Sequence, residues 1–154
     1  MDANWLAGRQ KENPMERKDL QRTFWQRLFG LPATPRPADS GCWASSGGNV
    51  VIDLGKAPEL RTPGGALRLE GKGLSRRLLV LHGEDGVFRA FQNRCTHLGH
   101  RRVDPVPGTR TIQCCSVNKS TYSYDGTTLR GPAPGPLTTF PAALEGQRLV
   151  IRLG

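Results

Sequence analysis

The sequence predicts an all-β fold, a sandwich of short antiparallel strands preceded by an N-terminal helix. Three observations predict it. Apolar runs of three to five residues recur from Asn49 onward, each bounded by turn residues. Glycine and proline are abundant, at 19 and 12 residues, which suits tight connections between short strands. Finally, Glu84-Asp85-Gly86 and Asp125-Gly126 sit between such runs, where hairpin turns need a residue that tolerates positive φ.

Taken in order, the first forty residues read as an extension. Asn13-Pro14 followed by Glu16 is a helix start, with Asn as cap, Pro at the first helical position and an acid in the first turn. Leu20, Phe24, Trp25, Leu28 and Phe29 then fall on one broad apolar face, with Lys18, Arg22 and Arg27 elsewhere. Gly30 and Pro32 end the helix. Such a face either packs on its own domain or docks onto a larger complex or membrane surface. Pro32, Pro35 and Pro37 make a stiff linker, so the expected division is an extension over 1–40 and a β domain over 41–154.

In the β domain, Val50-Val51-Ile52 reads as a strand. Thr62-Pro63-Gly64-Gly65 is a turn into a second strand at Ala66–Leu69. Leu78–Leu81 and Val87–Phe91 flank the first hairpin signal. Further strands are expected near Thr111–Gln113, Thr121–Tyr124 and Leu149–Arg152.

Composition narrows the function. The chain has 154 residues and a formal net charge of +9. Residues 1–40 hold 7 basic and 5 acidic side chains against 15 and 8 in the remainder, so most of the excess lies in the β domain. The basic residues are scattered and lack the aromatic interleaving of single-strand binders, which argues against nucleic acid. They suit an acidic protein partner instead. No run of 18 apolar residues is present, so no transmembrane segment is expected. Met1–Pro14 lacks the apolar core of a secretory signal, and the expected location is cytoplasmic. No catalytic triad, carboxylate pair or phosphate loop stands out, so the chain is not expected to be an enzyme on its own.

Chemistry concentrates in two segments, Cys95-Thr96-His97-Leu98-Gly99-His100 and Cys114-Cys115-Ser116-Val117-Asn118-Lys119-Ser120-Thr121-Tyr122. A thiolate and an imidazole two residues apart on one loop can face one metal centre, and a second such loop can complete it. Cys114 and Cys115 are adjacent, and on an extended strand their side chains point to opposite faces, so a buried, inert Cys114 is expected. Cys42 reads as structural or free, and His82 as unrelated to the site.

The two segments resemble the Rieske family, whose pattern is Cys-x-His, a gap of about this length, then Cys-x-x-His-Gly-Ser-x-Tyr. Seventeen residues separate His97 from Cys115. The resemblance runs from about Val50 to the C-terminus and includes Gly131-Pro132-Ala133-Pro134, similar to the family's proline loop over the cluster. It implies a [2Fe-2S] cluster, with Cys95 and Cys115 on one iron and His97 on the other. It also implies that Ser120 and Tyr122 donate hydrogen bonds to cluster or cysteine sulfur, and that Pro132 belongs to the covering loop. The departures are Asn118, where the family has its second histidine, and Lys119 in place of the following glycine. An amide is a weak neutral ligand. Three readings stay open: a cluster with a substitute ligand, no cluster, or a single metal ion on Cys95, His97 and Cys115. His100 reads as a substitute candidate or as an ordinary loop histidine. Arg94, Arg101, Arg102, Arg110, Lys119 and Arg130 form either a solvated surface or a positive rim that steers an acidic redox partner. The expected function is an electron carrier, or a subunit fastened by its N-terminal helix to a larger oxidoreductase complex. The alternative is a clusterless interaction subunit.

Overall fold

A computed structural model describes residues 19–96 and 101–154. One short helix, α1 (Phe24–Leu28), precedes twelve strands. These are β1 (Trp43–Ser46), β2 (Asn49–Asp53), β3 (Ala66–Leu69), β4 (Leu78–His82), β5 (Phe88–Gln92) and β6 (Val103–Pro105). They continue with β7 (Thr111–Cys114), β8 (Thr121–Ser123), β9 (Thr128–Arg130), β10 (Thr139–Phe140), β11 (Ala142–Glu145) and β12 (Arg148–Arg152).

The strands form three antiparallel sheets of four, ordered β1-β2-β12-β11, β10-β5-β4-β3 and β6-β7-β8-β9. The expected all-β class is therefore observed. β4 explains the arrangement. Leu78, Leu79, Val80 and Leu81 are all fully buried, which a strand achieves only when both of its faces are covered. Leu78 and Val80 join Val50, Ile52, Leu67, Leu69, Leu149 and Ile151 in a first core. Leu79 and Leu81 face the other way, into a second core with Phe91, Val103, Ile112, Tyr122, Cys95 and Cys114. Each fully buried aliphatic side chain contributes roughly 1.5–3 kcal/mol of transfer free energy, so both faces stabilise the fold. Cys42 lies in the first core. His82 ends β4, its Nδ1 2.8 Å from the Leu60 carbonyl oxygen and its ring stacked on Phe88.

The N-terminal segment departs from its expected form. The helical start at Asn13-Pro14 lies outside the described residues. Within them, the helix begins at Phe24, because Thr23 accepts from the Gln26 amide while the Gln26 side chain accepts from the Thr23 amide. This reciprocal cap fixes the start of a single turn. Its orientation is the reverse of the apolar-face-inward reading. Phe24, Trp25 and Phe29 are each more than 60% exposed, whereas Arg27 is 4% exposed. Arg27 turns inward because β7 and the loop after it present a row of acceptors, described below. Among the described residues, no helix is long and apolar enough to cross a membrane.

Candidate iron–sulfur site

The second core ends at the thiols. Cys95 follows β5, and Cys115 follows β7; both are fully buried. Consecutive residues tie their backbones together: the Cys95 amide donates to the Arg101 carbonyl at 2.9 Å, and the Cys115 amide donates to the Arg102 carbonyl at 2.9 Å. The two loops thus share one two-residue stitch. Asn93, buried beside it, accepts from the Val103 amide at 2.8 Å. The stitch is held from behind by Glu70, whose carboxylate accepts from Arg102 Nε at 2.5 Å and Nη2 at 3.1 Å. Arg68 and Arg36 also contact Glu70, and the Arg102 pair holds its carboxyl near pKa 2.

Cys114 is fully buried, as expected, but its thiol has polar company. Its Sγ lies 3.2 Å from Ser116 Oγ, and its thiol interacts with those of Cys115 and Cys95. The reason is local. β7 stops at Cys114, and alternation ceases to govern where the chain bends into the loop. The Cys114 thiol hydrogen-bonds Cys115 and pulls its pKa down to about 7 against the opposing effect of burial, while Cys114 itself moves upward. Cys115 Sγ donates to the carbonyl of Gly30 at 3.3 Å.

Two hydroxyls face this region. Tyr122 Oη lies 3.6 Å from Cys95 Sγ and 3.0 Å from Thr96 Oγ1, and accepts from the Thr96 amide at 3.3 Å. Burial pushes the phenol up to about 12, so it is a hydrogen donor at any physiological pH. Ser120 Oγ is fully buried and finds no hydrogen-bond partner among the described residues. An orphaned buried hydroxyl is costly unless something accepts its proton. The loop from Gly131 closes over Ser120: Gly131 has φ +90°, and a Cβ there would sit 2.6 Å from Ser120 Cα. Only glycine allows that approach. Ala133 on this loop is buried in the second core, while Pro132 is exposed.

His97 and His100 lie outside the described residues. Among those described, no three Cys, His, Asp or Glu side chains are arranged to hold a metal ion. Asn118 is half-buried, and its Oδ1 accepts from the Ser120 amide at 3.0 Å, so that oxygen caps the loop. Lys119 has φ +52°, a left-handed conformation that glycine adopts without cost. Three residues of the expected positive rim have acidic partners, each of which is shared with another cation. Arg102 pairs with Glu70, and Lys119 and Arg130 pair with Asp19 at 3.4 and 2.7 Å. Arg94 and Arg110 are exposed.

Residues 52–141 match the Rieske [2Fe-2S] domain family. The chain belongs to that family. Membership brings a [2Fe-2S] cluster and an electron-transfer role, as the motif resemblance implied. A 55-residue stretch is 29% identical to the carnitine monooxygenase oxygenase subunit of Acinetobacter baumannii, covering 36% of this chain and 15% of that relative. The fold is similar to that of the quaternary ammonium Rieske monooxygenase CntA in complex with L-carnitine, with TM-score 0.51 and 18% identity over 73% of this chain and 32% of that one. It is also similar to the plasma membrane Rieske protein PetC3 from Synechocystis PCC 6803, with TM-score 0.48 and 22% identity over 56% of this chain and 85% of that one. The Rieske domain therefore matches only a fraction of the curated oxygenase subunit's length.

The donor set suits such a group. Buried thiols on two stitched loops, a phenol aimed at one of them and a hydroxyl awaiting an acceptor are what a sulfur-rich inorganic centre requires. Sequence reasoning missed Arg27, Gly30 and Glu70 as parts of this region. Each reaches it through a contact more than 30 residues away in the chain, and no local pattern signals such contacts.

Proposed function

We propose that this Rieske chain is an electron carrier, or the electron-transfer subunit of a larger oxidoreductase complex, with altered cluster ligation. Cys95 and Cys115 hold one iron of the [2Fe-2S] cluster and His97 the other. Asn118 stands at the second histidine position without serving as ligand, because its carbonyl oxygen caps the Ser120 amide. The fourth ligand is a group other than that oxygen. Lys119 keeps the left-handed backbone expected of the family's glycine, which supports this register of the second motif. The observation that carries the reading is the stitch. Two consecutive carbonyls bring the two buried cysteines to neighbouring positions beneath an unpartnered Ser120 hydroxyl.

When bound, the cluster supplies one-electron chemistry at sulfur-ligated iron. The chain's own residues do the rest. Ser120 and Tyr122 donate hydrogen bonds toward sulfur and ease the gain of negative charge, while the Gly131–Pro134 loop, Pro132 included, limits water. The exposed ring group of Phe24, Trp25 and Phe29, with Val117 of the second loop, is the docking surface for an acidic redox partner. Arg22 borders it and supplies complementary charge.

Anaerobically purified protein is expected to carry two irons and two sulfides per chain, to absorb in the visible and to give an EPR signal on reduction. The Cys95→Ser variant is expected to lose all three. Colourless wild-type protein without iron sinks the electron-carrier reading. It would leave the clusterless docking subunit, which the mutual contacts of the three thiols also favour.

A further inference from the structure

The segment before the β domain is fastened across the site. The Leu20 amide donates to Gln113 Oε1 at 3.1 Å. The Ala33 and Thr34 amides donate to the fully buried Asp104 carboxylate at 3.0 and 2.8 Å. Between these anchors, Gly30 at φ +62° passes so close to Arg101 that a Cβ would lie 1.8 Å from its Nη1, and its carbonyl meets the Cys115 thiol. Residues 19–34 therefore form a strap over the second cysteine loop.

Arg27 is the strap's buried centre. Its guanidinium donates to the Leu20 carbonyl at 2.7 Å, Gln113 Oε1 at 2.8 Å, the Ser116 carbonyl at 3.2 Å and the Cys114 carbonyl at 3.4 Å. All four acceptors are neutral. Among the described residues, no carboxylate contacts it. Asp19, the nearby acid, is engaged by Arg130, Lys119 and Gln113, and Arg22 adds a second positive charge. A guanidinium stays charged in any protein, and a charge this buried needs a counter-charge. Asp19 is the first opposing charge, and the guanidinium otherwise faces the Cys115 loop through the carbonyls on either side of that cysteine.

We propose that the strap of residues 19–34 is a working part of the cluster site, in which the Arg27 charge beside the Cys115 loop favours the reduced state. The proposal rests on the cluster reading above. One electron arriving from a donor makes the site more negative by one unit, with no bond made or broken. A fixed positive charge in a low-dielectric surround lowers the cost of that gain. Arg27 is a positioning residue, acting through its field and through the loop carbonyls it holds.

The test is a dithionite redox titration of the full-length protein, followed by visible absorbance and EPR, for wild type, Arg27→Gln and Arg27→Lys. Iron and sulfide content is measured on each. Arg27→Gln is expected to keep its cluster while its reduced-to-oxidised ratio at fixed ambient potential falls about tenfold, which is ~59 mV for a one-electron couple. Arg27→Lys is expected to stay within about twofold of wild type. Equal potentials in all three proteins, with full clusters, overturn the proposal and leave Arg27 a structural clamp. Should Arg27→Gln fail to fold, Arg27→Met takes its place, filling the buried space without charge. The same downward shift is expected, and an unchanged potential again overturns the idea. Wild-type protein without iron overturns the cluster reading itself, and the inference falls with it.

Discussion

The two faces of β4 bury different kinds of material. Leu78 and Val80 face a core whose other members are almost all hydrocarbon, among them Val50, Ile52, Leu149 and Ile151. Leu79 and Leu81, their immediate neighbours, face Cys95, Cys114 and the Tyr122 ring, with the orphaned Ser120 hydroxyl in the adjoining loop. One strand thus separates a region that only stabilises from a region that stabilises and holds chemistry. Among the described residues, Ser120 Oγ and Asn93 Nδ2 are buried without a partner in the loops next to the cysteines, while Glu59 Oε2 is orphaned beside the first core. The thiols, more than the orphaned groups, distinguish the second face.

The largest effect expected from this comparison comes from truncating each face in turn. Leu78→Ala and Leu79→Ala remove the same three-carbon branch from fully buried positions, and each is expected to cost about 2–5 kcal/mol in urea unfolding. Their consequences for the site are expected to differ. Leu78→Ala keeps the wild-type visible spectrum per iron, while Leu79→Ala, which opens space in the core that holds Cys95, alters it or lowers iron occupancy. Identical spectra for both variants would mean that the two cores are not functionally distinct.

How much of this was legible in the sequence follows the same division. β4 announced itself through four consecutive apolar residues, and both hairpins through their Asp-Gly turns. The motif spacing pointed to Cys95 and Cys115. β1, β6, β9, β10 and β11 were not legible, since each is two to four residues long with little apolar alternation. Such strands exist because longer neighbours pair with them. Of the two readings of the apolar helix face, the one that packs it on its own domain is not the one observed. Helical periodicity favours burying Phe24, Trp25 and Phe29, but the acceptors on Gln113, Cys114 and Ser116 draw Arg27 inward and leave the rings outside. Local pattern carries no information about acceptors nearly 90 residues away.

A middle-sized effect concerns the support behind the stitch. The Glu70 carboxyl titrates near 2 in the folded protein against 4.5 for the free side chain, because Arg102 donates to it. Its folded value is depressed, so its contribution is complete above about pH 4.5 and disappears as pH falls towards 2. The side chain is 11% exposed, and on the order of 1–2 kcal/mol is at stake after allowing for its more exposed arginine partners. Melting temperature is expected to drop through this window in wild type. Glu70→Gln is expected to show a lower melting temperature at neutral pH and a flatter acid limb. An acid limb as steep as that of wild type would assign it to other carboxylates, and the Cys115 loop would lose its proposed brace.

The smallest effect tests whether the second loop still follows the geometry its family relationship implies. Lys119 holds φ +52°, where an L side chain crowds the following carbonyl at a cost of roughly 1–2 kcal/mol. Glycine removes that crowding but gives up more conformational entropy on folding, and it also loses the Lys119–Asp19 contact at 3.4 Å. That contact is largely exposed and contributes little, ~0.5 kcal/mol. The balance favours Lys119→Gly by up to about 1 kcal/mol, readable as a rise of a few degrees in melting temperature. A fall instead would mean that the ion pair outweighs the strain. Lysine would then be retained to tether the strap at Asp19, next to Gln113 and the buried Arg27, and this loop would owe its shape to the strap.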